Sequence, residues 1–116
     1  MLDIDGDQTI SATSDGLMLL RAMLGLTGDA VTTGATVPSV SARKTWQQIA
    51  PYVHLAALDL DGSGDTNAAT DGVLLLRVMF GWTGSAATQG VVPNGGRTWS
   101  DIRAYLNTSC GGNFSP

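Results

Sequence analysis

A chain of 116 residues and 12.0 kDa suits one domain, which at that size buries about 65% of the surface its unfolded form exposes, so a modest core needs no disulfide. With 43% hydrophobic and 14% charged residues, it is too apolar for disorder and too often broken by glycine and polar residues for a membrane span. The formal charge of −4 and pI near 4.4, with six scattered basic residues, disfavour nucleic acid, whose phosphates need clustered Lys and Arg; a cation is the better partner.

All ten acidic residues are aspartates, and eight fall in two windows: Asp3, Asp5, Asp7 and Asp15, then Asp59, Asp61, Asp65 and Asp71. Neighbouring carboxylates repel by about 1 kcal/mol per pair even in a solvent-like dielectric, and neither window contains Lys or Arg. A metal ion is the remaining compensating charge.

In the first window, "DIDGDQTISATSD" at 3–15, oxygen-bearing side chains stand at positions 1, 3, 5 and 9 (Asp3, Asp5, Asp7, Ser11), Thr9 holds position 7 and Asp15 position 13. Alternate positions of a tight loop can point inward to a hard cation such as calcium, which takes six to eight oxygens, if position 6 permits a sharp turn. Here position 6 is Gln8. A left-handed non-glycine costs roughly 1 kcal/mol, so the first site is expected to be the weaker or more distorted one.

"DGLMLLRAMLG", 15–25, follows as a helix with an acidic first turn and a glycine stop. It is apolar nearly all round, interrupted only by Arg21, so it must be covered on most sides. Arg21 is expected to reach solvent or pair with a loop aspartate, with a partner-binding role as the alternative. The connector at 26–43, rich in Thr, Gly and Val and containing Pro38, reads as an ordered loop with little regular structure. "KTWQQIAPYV", 44–53, spaces Trp46, Ile49, Tyr52 and Val53 along one helical face, disturbed by Pro51.

The pattern then repeats. "LDIDGDQTISATSDGLMLLRAMLGLTG" at 2–28 aligns without gaps to "LDLDGSGDTNAATDGVLLLRVMFGWTG" at 58–84, and "RTWSDIRAYL" at 97–106 answers the Trp-led segment. The second loop offers Asp59, Asp61, Ser63, Asn67 and Asp71, with Gly64 at position 6 and the carbonyl of Asp65 at position 7; the connector at 82–97 holds Pro93, and Arg77 corresponds to Arg21. Thr45 and Thr98, or Ser100, are the candidate caps of the Trp-led helices. Each central helix is expected to be covered by the other copy, within a single domain 1–116 made of repeat one (1–54), repeat two (57–109) and a tail (110–116).

The run Asp-x-Asp-Gly-x-Gly, then Asp-Gly, Leu-Leu-Leu-Arg and a closing Gly resembles the duplicated calcium-loop-plus-helix unit of dockerins and dockerin-like, EF-hand-type domains of secreted bacterial proteins. The resemblance implies an all-α fold of two loop–helix units related by a pseudo-twofold, here with long ordered connectors and an extra short Trp-led helix per unit. It implies two Ca2+ ions, with metal roles for Asp3, Asp5, Asp7, Thr9 and Asp15 and for Asp59, Asp61, Ser63, Asp65 and Asp71. It further implies a secreted or cell-surface setting within a larger protein and, in cellulosomal members, attachment to a cohesin partner. Two departures stand out. Each loop is one residue longer than usual, so its last turn must bulge or re-aim Asp15 and Asp71. The basic pair that cohesin-reading helices tend to carry is reduced to Arg21 and Arg77, preceded by Leu20 and Leu76.

The remaining residues carry little chemistry. The aromatic residues Trp46, Trp82, Trp99, Tyr52 and Tyr105 are expected in the core, with Trp82 the exception if one serves as a sugar platform. His54 stands alone, and Cys110 is either buried or paired outside this segment. Only Asp29 and Asp101 remain as acids outside the loops, and no nucleophile–base pattern accompanies them, so no catalysis is expected. No signal peptide is visible in the sequence, and the chain is expected to be a piece of a longer exported protein. Two functions fit: a calcium-ordered interaction module, or a structural module that calcium folds and that recognises nothing.

Overall fold

The computed structural model describes residues 2–36, 39–93 and 96–116, and among these it is helical with no strand. In chain order come a π turn at Ala12–Gly16 continuing into α1 (Leu17–Met23), α2 (Asp29–Thr32) and α3 (Trp46–Ile49). Two 3-10 turns, Ala50–Tyr52 and Leu55–Leu58, lead to a second π turn at Ala68–Gly72, then α4 (Val73–Met79), α5 (Gly84–Thr88) and α6 (Trp99–Ser109). Pro38, one of the two connector prolines, lies outside the described residues.

Leu2, Ile4, Leu58 and Leu60 are fully buried. Alternation along an extended segment sends them to one side while the intervening aspartates turn the other way into the loops. Each such leucine contributes about 1.5–3 kcal/mol by leaving water, which anchors the loop beside it to the core. Met18, Leu19 and Ala22 of α1, and Leu74, Leu75 and Val78 of α4, complete the centre with Ile49, Ile102 and Leu106.

The central helices meet through glycine. A Cβ on Gly16 would stand 2.8 Å from Leu76 Cδ2 and from Met79 Sδ, and one on Gly72 would stand 2.5 Å from Leu20 Cδ1. The start of each helix is thus pressed against the end of the other. Alanine here would regain about 1 kcal/mol of helix propensity, masking part of the clash, so valine is the better probe. Gly72→Val is expected to lower stability by about 1–3 kcal/mol through overpacking, read as a lower urea midpoint; an unchanged midpoint would mean that Leu20 swings aside and that the close approach contributes little.

Both central helices end as the sequence predicts. Gly25 and Gly81 take φ of +87° and +92°. The N–H of Leu26 reaches Arg21 O at 3.1 Å and that of Gly25 reaches Ala22 O at 3.0 Å, with the same pair of bonds at Trp82 and Gly81. This is a Schellman motif, in which a left-handed glycine satisfies the last carbonyls. Thr45 and Thr98 are the caps, each in a capping box, with Gln48 and Asp101 as partners. Pro51 breaks the first Trp-led segment into a single α turn and a 3-10 turn, because it lacks an N–H and its ring clashes in a helix interior. The second segment has no proline and runs for 11 residues.

Among the described residues the connectors hold little regular structure, as expected, a single turn of helix each, α2 or α5. One expectation needs correction. Arg21 and Arg77 neither reach freely into solvent nor pair with loop aspartates. Arg21 Nη1 donates to Val31 O at 2.8 Å and Thr33 O at 2.7 Å, and Arg77 Nη1 to Ala87 O at 3.2 Å and Gln89 O at 2.6 Å. Each arginine therefore satisfies carbonyls that the short helix leaves open at its end. The tail is also ordered: Asn107 exchanges two hydrogen bonds with the backbone of Phe114, which packs against the core. Cys110 is buried.

Candidate metal centres

In the first loop one carboxylate oxygen from each of Asp3, Asp5, Asp7 and Asp15 lies within 4.8 Å of the others; in the second the same holds for Asp59, Asp61 and Asp71. Oxygens bound to one calcium ion at about 2.3–2.6 Å stand no more than about 5 Å apart, so both groups fit inside one coordination sphere. Ser63 Oγ adds to the second group, 3.4 Å from Asp59 Oδ1 and 3.2 Å from the carbonyl of Asp65. The carboxylate of Asp65 is not among the gathered acids.

The loops hold this shape by folding backbone N–H groups onto the acids. Asp3 accepts from Gly6 N at 3.1 Å and Gln8 N at 2.9 Å, and Asp59 from Ser63 N at 3.1 Å and Gly64 N at 2.9 Å. Position 6 is left-handed in both loops, with φ of +70° at Gln8 and +104° at Gly64. The first loop thus accepts the strain anticipated for a non-glycine without losing its fold.

The extra residue of each loop is taken up by the π turn. Gly16 N bonds Ser11 O at 3.0 Å and Gly72 N bonds Asn67 O at 3.1 Å, five residues back where an α-helix would reach four. That wider turn swings Asp15 and Asp71 back over the loop entrance. Asp15 Oδ1 accepts from Ile4 N at 2.8 Å and Asp5 N at 3.3 Å, and its Oδ2 from Ser11 N at 2.9 Å. Asp71 repeats the arrangement with Leu60 N, Asp61 N and Asn67 N at 2.7, 3.1 and 2.8 Å. These two acids staple each loop to its helix. The side chains at position 9 turn toward the helix: Asn67 Oδ1 caps Ala69 N at 2.8 Å, and Ser11 Oγ pairs with Thr13 Oγ1 at 3.1 Å.

The electrostatics fit a cation. Asp5 and Asp15 are fully buried, and Asp5 Oδ1 has no hydrogen-bond partner, an orphaned charge-bearing oxygen that would cost several kcal/mol without compensation. Burial pushes Asp15 up to about 7, aided by the neighbouring Asp5 and Asp3 carboxylates and opposed by its backbone N–H bonds. Burial likewise raises Asp71. Asp61 moves the other way: burial raises it, but hydrogen bonds with Ser63, Asp59 and Asp71 together outweigh burial and lower it.

A pH prediction follows for the chain in chelator. An unfolded aspartate titrates near 3.8 and folded Asp15 at about 7, so between those values the folded chain holds the extra proton. The stability this confers is complete below about 3.8 and is lost as pH rises through about 7. Asp61 titrates below this range and does not oppose the trend above pH 5. The urea midpoint in chelator is expected to be higher at pH 5 than at pH 8; a rise with pH would contradict it.

Three residues that the sequence did not single out support the loops. Ser41 Oγ donates to Asp5 Oδ2 at 2.8 Å. Arg43 donates from Nε to Ile4 O, from Nη2 to Asp3 O and from its own N–H to Asp5 O, each at 2.8 Å. Arg97 Nη1 donates to Asp59 O at 3.1 Å. Arg43 stacks on Tyr52 and Arg97 faces Tyr105. The signal was a basic residue just before Thr-Trp in both copies, hidden because Arg97 aligns in sequence with Lys44 and not with Arg43.

No family model, curated protein or solved structure matches this chain significantly. Among the described residues no helix is long and apolar enough to cross a membrane.

Proposed function

We propose that the chain is a non-catalytic, dockerin-like module that binds two Ca2+ ions and attaches a larger secreted or cell-surface protein to a protein partner. The carrying observation is the buried, unpartnered Asp5 Oδ1 within a ring of acids. Asp3, Asp5, Asp7, Asp15 and the carbonyl of Thr9 would hold the first ion. Asp59, Asp61, Ser63, Asp71 and the carbonyl of Asp65 would hold the second. Calcium supplies positive charge where the loops concentrate negative charge, so binding free energy appears largely as folding free energy. The matching staples at Asp15 and Asp71 and the reciprocal contacts of Gly16 and Gly72 support a pseudo-twofold relation between the two loop–helix units.

Attachment is favoured over a purely structural role by apolar residues left in solvent at equivalent places. Leu24 and Phe80 are each 63% exposed, and Leu26 and Trp82 are 40% and 49% exposed, just beyond the two central helices. Burying such side chains is the ordinary source of protein–protein affinity. A cohesin-like or other extracellular protein is the partner class that the resemblance suggests. The acids outside the loops offer no catalytic pair, and Asp101 is committed to a helix cap.

Calorimetric titration of chelator-stripped protein with Ca2+ is expected to give two ions per chain. Absence of binding heat at millimolar Ca2+, with no change in fold, would sink the proposal.

A further inference from the structure

We infer that Ser41 and Arg43 are positioning residues that preorganise the first loop, so that it fills with calcium before the second. The inference rests on the calcium function proposed above and reverses the order that Gln8 alone suggested.

Affinity for calcium in loops of this kind is set by the charge of the ligand set and the rigidity of the site. On charge, the first loop gathers four carboxylates and the second three. On rigidity, the first loop is gripped from outside. The segment from Ser41 to Arg43 reaches back across the chain, fixes one oxygen of Asp5 through the Ser41 hydroxyl, and leaves the other buried and unpartnered. Arg43 holds the carbonyls of three consecutive residues, Asp3, Ile4 and Asp5. In the second loop, among the described residues, the hydrogen bond to the Asp61 side chain comes from Ser63 within the loop itself, and Arg97 bonds one carbonyl, that of Asp59. A ligand oriented by a neighbour outside its loop loses less freedom when the ion arrives. The strain at Gln8 does not reverse this order. Its left-handed backbone is present in the loop as folded, where its N–H already bonds Asp3 Oδ2, so the cost falls on folding and is common to the free and bound loop. The guanidinium charges beside the two loops also offset one another in the comparison.

The test is a calcium titration of the full chain followed by amide spectra, with Gly6 and Gly62, which occupy the same position of the two loops, as reporters. The Gly6 amide is expected to saturate at a free Ca2+ concentration about 10-fold lower than Gly62. Ser41→Ala should raise the Gly6 midpoint about 10-fold, as loss of an outer-shell partner does, while leaving the Gly62 midpoint within about twofold; Ser41→Thr should restore it. If Ser41→Ala folds poorly, Arg43→Lys, which keeps the charge but loses the fork, is expected to shift the same midpoint in the same direction. Gly62 saturating first or together with Gly6, or a Ser41→Ala shift shared equally by both loops, would overturn the inference while leaving calcium binding intact. A titration in which neither amide moves would overturn the calcium function and the inference with it.

Discussion

Removing calcium is expected to lower the thermal midpoint of this chain by about 20 °C. A ligand present at a hundredfold excess over its Kd stabilises the folded state by about 2.7 kcal/mol per site, so two sites contribute about 5 kcal/mol. For a chain of 116 residues, each kcal/mol moves the midpoint by about 4 °C. Eight aspartates in two short windows, with Asp5 and Asp15 fully buried, make the ion-free state the one that carries the repulsion. Calorimetric scans in calcium and in chelator would measure the difference. Midpoints agreeing within a degree or two would mean that the acids are tolerated without an ion, and the functional proposal would fail.

Substitutions at Asp15 should separate two jobs done by one side chain. Its carboxylate accepts from Ile4 N, Asp5 N and Ser11 N, and the proposed ion needs its charge. Asp15→Ala strands these donors, at about 1–3 kcal/mol for each one that water cannot reach. It is therefore expected to lose about 3–5 kcal/mol even in chelator. Asp15→Asn keeps an oxygen for Ile4 and Asp5 and removes a charge that burial already disfavours. In chelator at pH 7.5 it should remain within about 1 kcal/mol of the parent chain. In calcium it should lose most of the stabilisation gained from the first ion. Urea midpoints of both variants, with and without calcium, give four numbers. Equal behaviour of the two variants in chelator would show that the N–H bonds contribute little and that the staple is not a staple.

What the sequence disclosed and what it hid divide along a physical line. Features written in local order were legible: the Schellman stops at Gly25 and Gly81, the Thr45 and Thr98 caps, the break at Pro51 and the left-handed Gln8 each depend on a few adjacent residues. The spacing of the acids marked which carboxylates gather, because loop closure is also local. The extra residue in each loop was visible as a length, but the π turn that absorbs it was not, since a bulge, a kink or a re-aimed side chain would all accommodate one residue. Contacts made across the chain were invisible. Ser41 meets Asp5 from 36 positions away, and Arg21 turns to carbonyls of α2 instead of acids, because a guanidinium goes to whichever acceptors the fold leaves open nearby.

The facing glycines have a wider consequence. Gly16 lies beneath Leu76 and Met79, and Gly72 beneath Leu20, so each half of the chain is roofed by the other. A polypeptide cut between the halves would not yield two miniature proteins; it would yield two open flanks of leucine and methionine with nothing to cover them. Whatever history doubled the sequence, the packing of each half on the other leads us to expect the product to unfold as one piece.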